Sequence, residues 1–177
     1  MQENFVCFHN PDEEHGWLSN WALSDFEVGG VKFSSMEQYM MYCKAKLFCD
    51  DETMKKILNT TDVKKIKALG REVYPFNPTI WSTYGLLFVT EGLFAKYRQN
   101  PELKEKLLAT GDKILVECAV RDHIWAIGRS LKDDRRFDLS AWDGENRLGF
   151  ATMFVRDKLR EEEPVGDKTE DSTNPPW

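Results

Sequence analysis

Residues 35–46 carry the sequence SMEQYMMYCKAK, which predicts an α-helix. Glu37 precedes Lys44 by seven residues, and seven steps at 3.6 residues per turn return almost to the same side of a helix. The two side chains are therefore expected to share a face, about 10 Å apart along the axis. An acid and an amine on one face suit proton transfer and imine chemistry, whereas an ordinary amphipathic helix would carry them as two solvated charges. Lys46 lies about 200° further round and is expected to face elsewhere.

Length and composition indicate one globular domain with a real core. The chain has 177 residues, of which 41% are hydrophobic and 31% charged. Its net charge of -6 argues against broad, non-specific nucleic-acid binding but leaves room for a local basic groove. No apolar run approaches about 18 residues, so we expect no membrane span. Residues 1–4 lack a basic region followed by a long apolar stretch, so we expect no secretory signal.

The cysteines and histidines do not form a pattern typical of a metal site. No two cysteines are spaced as CxxC, and the three histidines are too scattered to complete a zinc site. We therefore expect a reduced, cytoplasmic protein without metal or cofactor, with a disulfide set as the alternative. The cysteines are Cys7, Cys43, Cys49 and Cys118.

Turn and capping signals divide the rest of the chain into short elements. A hairpin is expected over 26–33 around Gly29 and Gly30, and Ser34 or Ser35 can cap the helix that follows. The acidic residues 161–177 are expected to form a disordered tail outside a folded domain of residues 1–160. Strands are further expected over 5–8 and 114–119, and a loop is expected over 135–146. One helix is expected from Thr60 or Thr61 to just before Gly70. The other expected helices cover 52–58, 86–97, 101–110 and 150–160.

Two groups of aromatic residues are candidate binding surfaces. Asn20 lies close to Trp17 and Trp21, and two tryptophans flanking an amide can stack on a flat ring and hydrogen-bond its edge. The alternative is a pair of core tryptophans, with Asn20 holding a turn. Trp81 follows two prolines at the start of a predicted helix, where it is either a stacking platform or part of the core.

Three polar residues stand at the ends of predicted elements. Asp122 follows a buried strand, where a working carboxylate and a helix cap are both common. Arg71 follows Gly70 and can either bind a phosphate bidentately or form a surface ion pair. Asn146 precedes the last helix, so it marks either an anion site at that N-terminus or an ordinary cap.

Seven motifs in this order resemble the NADAR superfamily. The resemblance covers about residues 5–160 and implies a compact, predominantly helical α+β domain with a few short strands. The motifs are Leu18-Ser19-Asn20-Trp21, Ser35-Met36-Glu37-Gln38-Tyr39 with Lys44, Leu69-Gly70-Arg71, Trp81, Gly92-Leu93-Phe94-Ala95-Lys96-Tyr97, Leu107-Leu108-Ala109-Thr110-Gly111 and Asp122-His123-Ile124-Trp125-Ala126-Ile127-Gly128.

The resemblance implies an N-glycoside hydrolase that cleaves the bond between ribose C1′ and a nitrogen of a guanine-like ring. One family activity removes ADP-ribose from guanine bases in nucleic acid, as an antitoxin-like function with a toxin as a candidate partner. The other cleaves phosphoribosylamino-pyrimidine intermediates of riboflavin biosynthesis and releases ribose 5-phosphate. A third alternative is an ADP-ribose or nucleotide-binding module without turnover, against which Glu37 and Lys44 argue. We expect a monomer.

The resemblance also implies roles for individual residues. Glu37 is expected to protonate the leaving base or the ring oxygen and later to activate water. Lys44 is expected to form an imine with C1′, and Asp122 to orient Lys44 or the ribose hydroxyls or to stabilise the cation. Burial should lower the pKa of Lys44, because only a neutral amine attacks. Ala126 stands where the family often has glycine, which narrows the pocket slightly or changes a loop. The residues expected to hold the base and ribose are Asn20, Trp17, Trp21, Trp81 and Trp125, with Arg71 and Asn146 for phosphate.

Overall fold

The computed structural model describes residues 2–162. This part of the chain forms one α+β domain that is mainly helical, with four short strands, as predicted. The helices are α1 (Met36–Leu47), α2 (Asp51–Leu58), α3 (Val63–Glu72), α4 (Pro78–Gln99), α5 (Pro101–Leu108) and α6 (Arg147–Glu161). The strands are β1 (Phe5–Phe8), β2 (Leu23–Val28), β3 (Val31–Ser35) and β4 (Ile114–Glu117).

The strands form two separate pairs. Strands β2 and β3 make the predicted hairpin, and its turn uses Gly29 and Gly30 at φ values of 58° and 80°. Both values lie in the left-handed region that glycine adopts without steric cost, as a tight hairpin turn requires. Strands β1 and β4 pair in parallel, with Phe8 opposite Glu117 at their carboxyl ends. Residues that follow these two strands therefore meet at one edge.

Helix α1 lies at the centre of the domain and packs against α2, α3 and α4. The Ser35 side chain caps it by accepting a hydrogen bond from the Gln38 amide. Tyr39 on α1 contacts Phe33 and Phe26 of the hairpin edge to face, with ring centroids 5.0 and 5.9 Å apart. Because most of α1 is buried, the polar residues in its first turn are carried into the interior.

The prediction for α3 is wrong at both ends. Asp62, and not Thr60 or Thr61, caps the helix by accepting from the amides of Lys64 and Lys65. Gly70 lies inside α3 instead of ending it. A Cβ at Gly70 would lie 1.9 Å from Sδ of Met41, so this glycine allows α3 to approach α1 closely.

The end of α6 marks the limit of the described chain. The helix reaches Glu161, and Glu162 accepts hydrogen bonds from the Arg98 guanidinium. The remainder of the predicted tail, residues 163–177, lies outside the described residues. Within residues 2–162, no helix combines the length and apolar character needed to cross a bilayer.

Candidate active site

Glu37 lies in the first turn of α1 and is buried, with 5% of the residue exposed to solvent. Its backbone amide donates to the carbonyl oxygen of Asn20 at 2.8 Å, which fixes this turn against the preceding loop. Burial raises the pKa of the Glu37 carboxyl, while Lys67 and a side-chain hydrogen bond from Trp21 oppose the rise. Glu37 is therefore held towards its neutral form, as an acid catalyst requires.

Two cations on one face of α3 act on the same carboxyl. Lys67 and Arg71 are one helical turn apart, and both favour the ionised form of Glu37. The Nζ atom of Lys67 lies 5.3 Å from the centroid of the Trp21 ring. In the described chain neither cation forms a salt bridge, so both remain available for an anionic ligand.

A second buried carboxylate lies at the end of β4. Glu117 is 7% exposed, and its Oε1 atom lies 2.9 Å from Nδ1 of His9. Burial raises the pKa of Glu117 to about 7, although the hydrogen bond from His9 opposes this rise. The charge of Asp122 raises the pKa of Glu117 further, whereas the charge of Lys67 lowers it. Glu37 and Glu117 therefore share Lys67 and Asp122 as charged neighbours.

Asp122 both caps a turn and contributes charge to this cluster. Its Oδ1 atom accepts from the amides of Ile124 and Trp125 at 3.0 and 2.8 Å. Its negative charge also raises the pKa of Glu37 and of Glu117. Asp122 therefore acts as a cap through its Oδ1 atom and as a charged group of the site through its negative charge.

Lys44 occupies the other half of α1. Its Nζ atom donates to the carbonyl oxygen of Gly70 at 2.6 Å and lies 4.1 Å from the centroid of the Phe76 ring. Burial lowers the pKa of this half-buried amine, as imine chemistry requires. Within the described residues its hydrogen-bond and ring contacts do not include Glu37. Lys46 is exposed and faces Tyr42 instead, which agrees with the predicted rotation around the helix.

The loop before β2 carries three further predicted residues, Trp17, Asn20 and Trp21, and places two of them near Glu37. Trp21 reaches the carboxyl directly, and Asn20 holds its backbone. The Asn20 Oδ1 atom is buried and lacks a partner among the described residues. Trp17 is partly buried against the hydrophobic core, and its carbonyl oxygen accepts from Nζ of Lys96 at 3.0 Å. For Trp17 the geometry favours the core alternative.

Trp81, Trp125 and Asn146 make their observed contacts with other parts of the described chain. The rings of Trp81 and Phe88 stack at 6.5 Å, and Trp125 packs at the edge of the core. Asn146 is fully buried, and its side chain accepts from the Glu117 amide and donates to a β4 carbonyl oxygen. Its side-chain amide is thus occupied in joining α6 to β4, and the phosphate role expected for it stays a prediction.

The family model of the NADAR domain matches residues 7–160. The chain belongs to the NADAR family. It is 38% identical over 164 residues to N-glycosidase R617 of Acanthamoeba polyphaga mimivirus, covering 88% of this chain and 96% of that protein. It is 27% identical over 159 residues to N-glycosidase YbiA of Escherichia coli K12, and the match covers 90% of this chain and 91% of that protein. The NMR structure of YbiA superposes with a TM-score of 0.74 at 26% identity, over 92% of this chain and 88% of that one.

A third relative differs in length. The riboflavin biosynthesis protein VVA0006 of Vibrio vulnificus is 30% identical over 164 residues. The match covers 93% of this chain but only 41% of that protein. Together with the full-length matches, NADAR membership identifies the chain as an N-glycosyl hydrolase.

The candidate site contains three residues that the sequence did not single out. Lys67 lies four residues before Arg71, and this helical spacing was the signal that both share a face. Glu117 is the only charged residue of β4, and a carboxylate in an apolar strand indicates a special environment. His9 gave no signal, because its pairing with Glu117 joins residues 108 positions apart.

The arrangement supplies the groups that N-glycoside hydrolysis needs. Glu37 is a buried acid, Lys44 is an amine with a lowered pKa, and Lys67 and Arg71 provide positive charge. An acid protonates the leaving base, while cations hold the anionic part of a substrate. Trp21 adds an aromatic surface beside the acid.

Proposed function

We propose that this NADAR protein removes ADP-ribose from guanine bases in nucleic acid. The observation that carries the proposal is the state of Lys44. Its amine is half-buried, hydrogen-bonds to the carbonyl oxygen of Gly70 and has a lowered pKa. Such an amine is suited to nucleophilic attack on C1′, the step that the family resemblance assigns to this branch.

The chemistry follows from two groups on α1. Glu37 gives its proton to the leaving base nitrogen while the C1′–N bond breaks, and positive charge grows on the sugar. The lone pair of Lys44 then bonds to C1′, the bond from C1′ to the ring oxygen opens, and that oxygen takes a proton from the new ammonium. Water attacks C1′ of the resulting protonated imine, and Glu37 takes a proton from this water. The proton of the new hydroxyl group then passes to the amine nitrogen as the bond from C1′ to Lys44 breaks, and free Lys44 and ADP-ribose are released.

The cations of α3 support a substrate that carries phosphate. Lys67 and Arg71 stand beside Glu37 without salt-bridge partners in the part of the chain described. Guanidinium and ammonium groups bind phosphate oxygens strongly, and Arg71 is exposed enough to meet them. They form a local basic surface on a protein of net charge -6.

The alternative is cleavage of phosphoribosylamino-pyrimidine intermediates of riboflavin biosynthesis. The observation in its favour is the 30% identity with the Vibrio vulnificus riboflavin biosynthesis protein, of which this chain spans 41%. Both substrates present a guanine-like ring, a ribose C1′–N bond and phosphate. The same acid and cations would therefore serve either of them.

A side-by-side turnover assay separates the two. The purified protein and its Glu37→Gln variant are incubated with guanine-ADP-ribosylated DNA and RNA and, in separate reactions, with the phosphoribosylamino-pyrimidine substrates. The products are identified by mass spectrometry. Release of ADP-ribose by the wild type and not by the variant supports the proposal. Release of ribose 5-phosphate alone replaces it with the alternative, and nucleotide binding without either product replaces it with a binding module.

A further inference from the structure

The connection between α3 and α4, residues 73–77, presents two aromatic rings to solvent. Tyr74 is 82% exposed and Phe76 is 41% exposed. A tyrosine with this much of its surface in water contributes little to the core. Single exposed apolar residues are common, but exposed aromatic rings that lie together beside a candidate site are typical of a binding surface.

Phe76 joins this connection to the candidate nucleophile. The centroid of its ring lies 4.1 Å from Nζ of Lys44 and 5.2 Å from the centroid of the Phe48 ring, in an edge-to-face contact. Nζ of Lys44 also donates to the carbonyl oxygen of Gly70 on α3. Because Phe76 contacts the amine and stays partly exposed, a substrate that brings C1′ to Lys44 also reaches the Phe76 ring.

Hydrogen bonds fix the backbone that carries the two rings. The amide of Tyr74 donates to Oδ2 of Asp50 at 3.0 Å, and Oδ1 of Asp50 accepts from the amide of Thr53 at 3.0 Å. At the other end, the side chain of Asn77 caps α4 by accepting from two backbone amides. A surface that is already held in place loses little conformational entropy when a ligand binds to it.

Helix α3, which leads into this connection, carries a row of positive charge. Lys64, Lys67 and Arg71 follow one another at spacings of three and four residues, so they share one face of the helix. Lys64 and Arg71 are exposed, and within residues 2–162 none of the three forms a salt bridge. Cations that contact phosphates, next to aromatic rings that stack on bases, are the combination that binds single-stranded nucleic acid.

We propose that Tyr74 and Phe76 stack on the bases that flank a modified guanine in a single strand of nucleic acid, while the cations of α3 contact its phosphates. The inference rests on the proposed function, in which Lys44 attacks C1′ of the ribose attached to that guanine. A duplex keeps the flanking bases paired and stacked inside the helix, so a single strand fits this surface better. A riboflavin-pathway intermediate has no flanking base to place on these rings.

Binding of an unmodified single strand tests the surface without any reaction. A fluorescein-labelled strand of about 12 nucleotides, as DNA and as RNA, is titrated with the protein, and fluorescence anisotropy gives Kd. Tyr74→Ser should raise Kd by about 5–140-fold, the usual range for the loss of one base–aromatic stack. Phe76→Leu keeps an apolar contact with Phe48 but loses the flat face, so it should raise Kd as well. Phe154→Ser removes a 51% exposed ring from α6 and is the matched control that should leave Kd unchanged.

Turnover separates the flanking bases from the reacting guanine. Two substrates are compared, a single strand with one ADP-ribosylated guanine and the same strand with abasic sites on both sides of that guanine. In the wild type, kcat/KM should be about 5–140-fold higher with the flanking bases present. Tyr74→Ser should reduce this ratio towards one, because the flanking base then has no ring to stack on. Phe154→Ser should keep the wild-type ratio.

The salt dependence of Kd reports the phosphate contacts of α3. Each cation that contacts a phosphate of a single strand contributes about 0.7 to the slope of log Kd against log salt concentration. Lys64→Met should lower the slope by about this amount. Lys65→Met is the matched control, because the next residue of a helix lies about 100° further round and points away from the row. Equal slopes in the two variants would remove Lys64 from the proposed contact.

Three results would overturn the stacking surface: no binding of the single strand, an unchanged Kd in Tyr74→Ser, or equal kcat/KM with and without flanking bases in the wild type. The proposed reaction is judged separately. A wild type that releases ADP-ribose without any preference for flanking bases keeps that reaction and loses this surface. A wild type that binds the strand through Tyr74 but releases no ADP-ribose keeps the surface and loses the reaction.

Discussion

Lys44 donates a 2.6 Å hydrogen bond from Nζ to the carbonyl oxygen of Gly70. The acceptor is a neutral carbonyl group, and burial lowers the pKa of the amine. A carboxylate partner would have stabilised the ammonium and raised the pKa instead. The contact between α1 and α3 therefore positions Lys44 while leaving it able to lose its proton.

Borohydride added during turnover should trap a sugar adduct on the peptide that contains Lys44, because it reduces an imine to a stable amine. Lys44→Arg keeps the positive charge but cannot form an imine, so it should lose both turnover and labelling. Lys46→Arg, on the exposed side of the same helix, should keep both. Peptide mapping by mass spectrometry provides the measurement. Normal turnover in Lys44→Arg would assign Lys44 a binding role only.

Glu37→Gln should lower kcat by about 10²–10⁴-fold, the usual contribution of a general acid, while the fold survives. The acid works only when protonated, and burial raises the pKa of Glu37 above 4.5. Activity should therefore persist above pH 4.5 and fall as pH rises through that raised value. The stability that the protonated Glu37 contributes is lost over the same range, because the folded state holds the proton more tightly than the unfolded chain. A pH–rate profile and a thermal melt of both proteins check this, and Glu72→Gln is an exposed control on α3.

Lys96 should give the protein a distinct stability profile at alkaline pH. It is fully buried, donates to the carbonyl oxygen of Trp17, and burial lowers its pKa from 10.5 to about 8. The folded state therefore loses this proton before the unfolded chain does, and stability rises as pH increases from about 8 to 10.5. Relative to Lys96→Met, the wild type should gain about 3 kcal/mol over this range. Urea unfolding at several pH values measures the difference, and parallel curves for the two proteins would contradict the prediction.

Gly92→Ala should destabilise the protein by about 1–3 kcal/mol through overpacking. A Cβ at Gly92 would lie 2.4 Å from Cδ1 of Tyr39 and 2.9 Å from Cε of Met36 in the core. Gly85→Ala in the same helix is the matched comparison, because its Cβ would come no closer than 3.2 Å, to the Trp81 ring. In Gly85→Ala the gain in helix propensity offsets the cost of the close contact with the Trp81 ring. Chemical denaturation of both variants should rank Gly92→Ala as the less stable.

Local signals predicted the elements that local geometry controls. The Gly29–Gly30 hairpin and the helix from Ser35 follow from turn and capping chemistry, and the structure confirms both. Gly70 was misassigned because a glycine that ends a helix and one that allows close packing look the same in sequence. Only the approach of Met41 separates these alternatives.

The candidate site was predicted where its residues share one element and missed where the fold joins distant ones. Seven-residue spacing placed Glu37 and Lys44 on α1, but their partners come from α3, from the loop before β2 and from the turn after β4. Glu117 reaches the site only because β1 and β4 pair in parallel across more than 100 residues. No spacing rule within one segment reports such a pairing.

Asp122→Asn should separate the charge of this residue from its structural role. The amide oxygen of asparagine can still accept from the Ile124 and Trp125 amides, so the turn should survive. The negative charge that raises the pKa of Glu37 is lost, so the alkaline limb of the activity profile should move to lower pH. Asp122→Ala removes both features and should in addition lower the melting temperature. If Asp122→Asn leaves the pH profile unchanged while Asp122→Ala impairs folding, Asp122 serves the turn alone and Glu37 depends on Lys67 and its own burial.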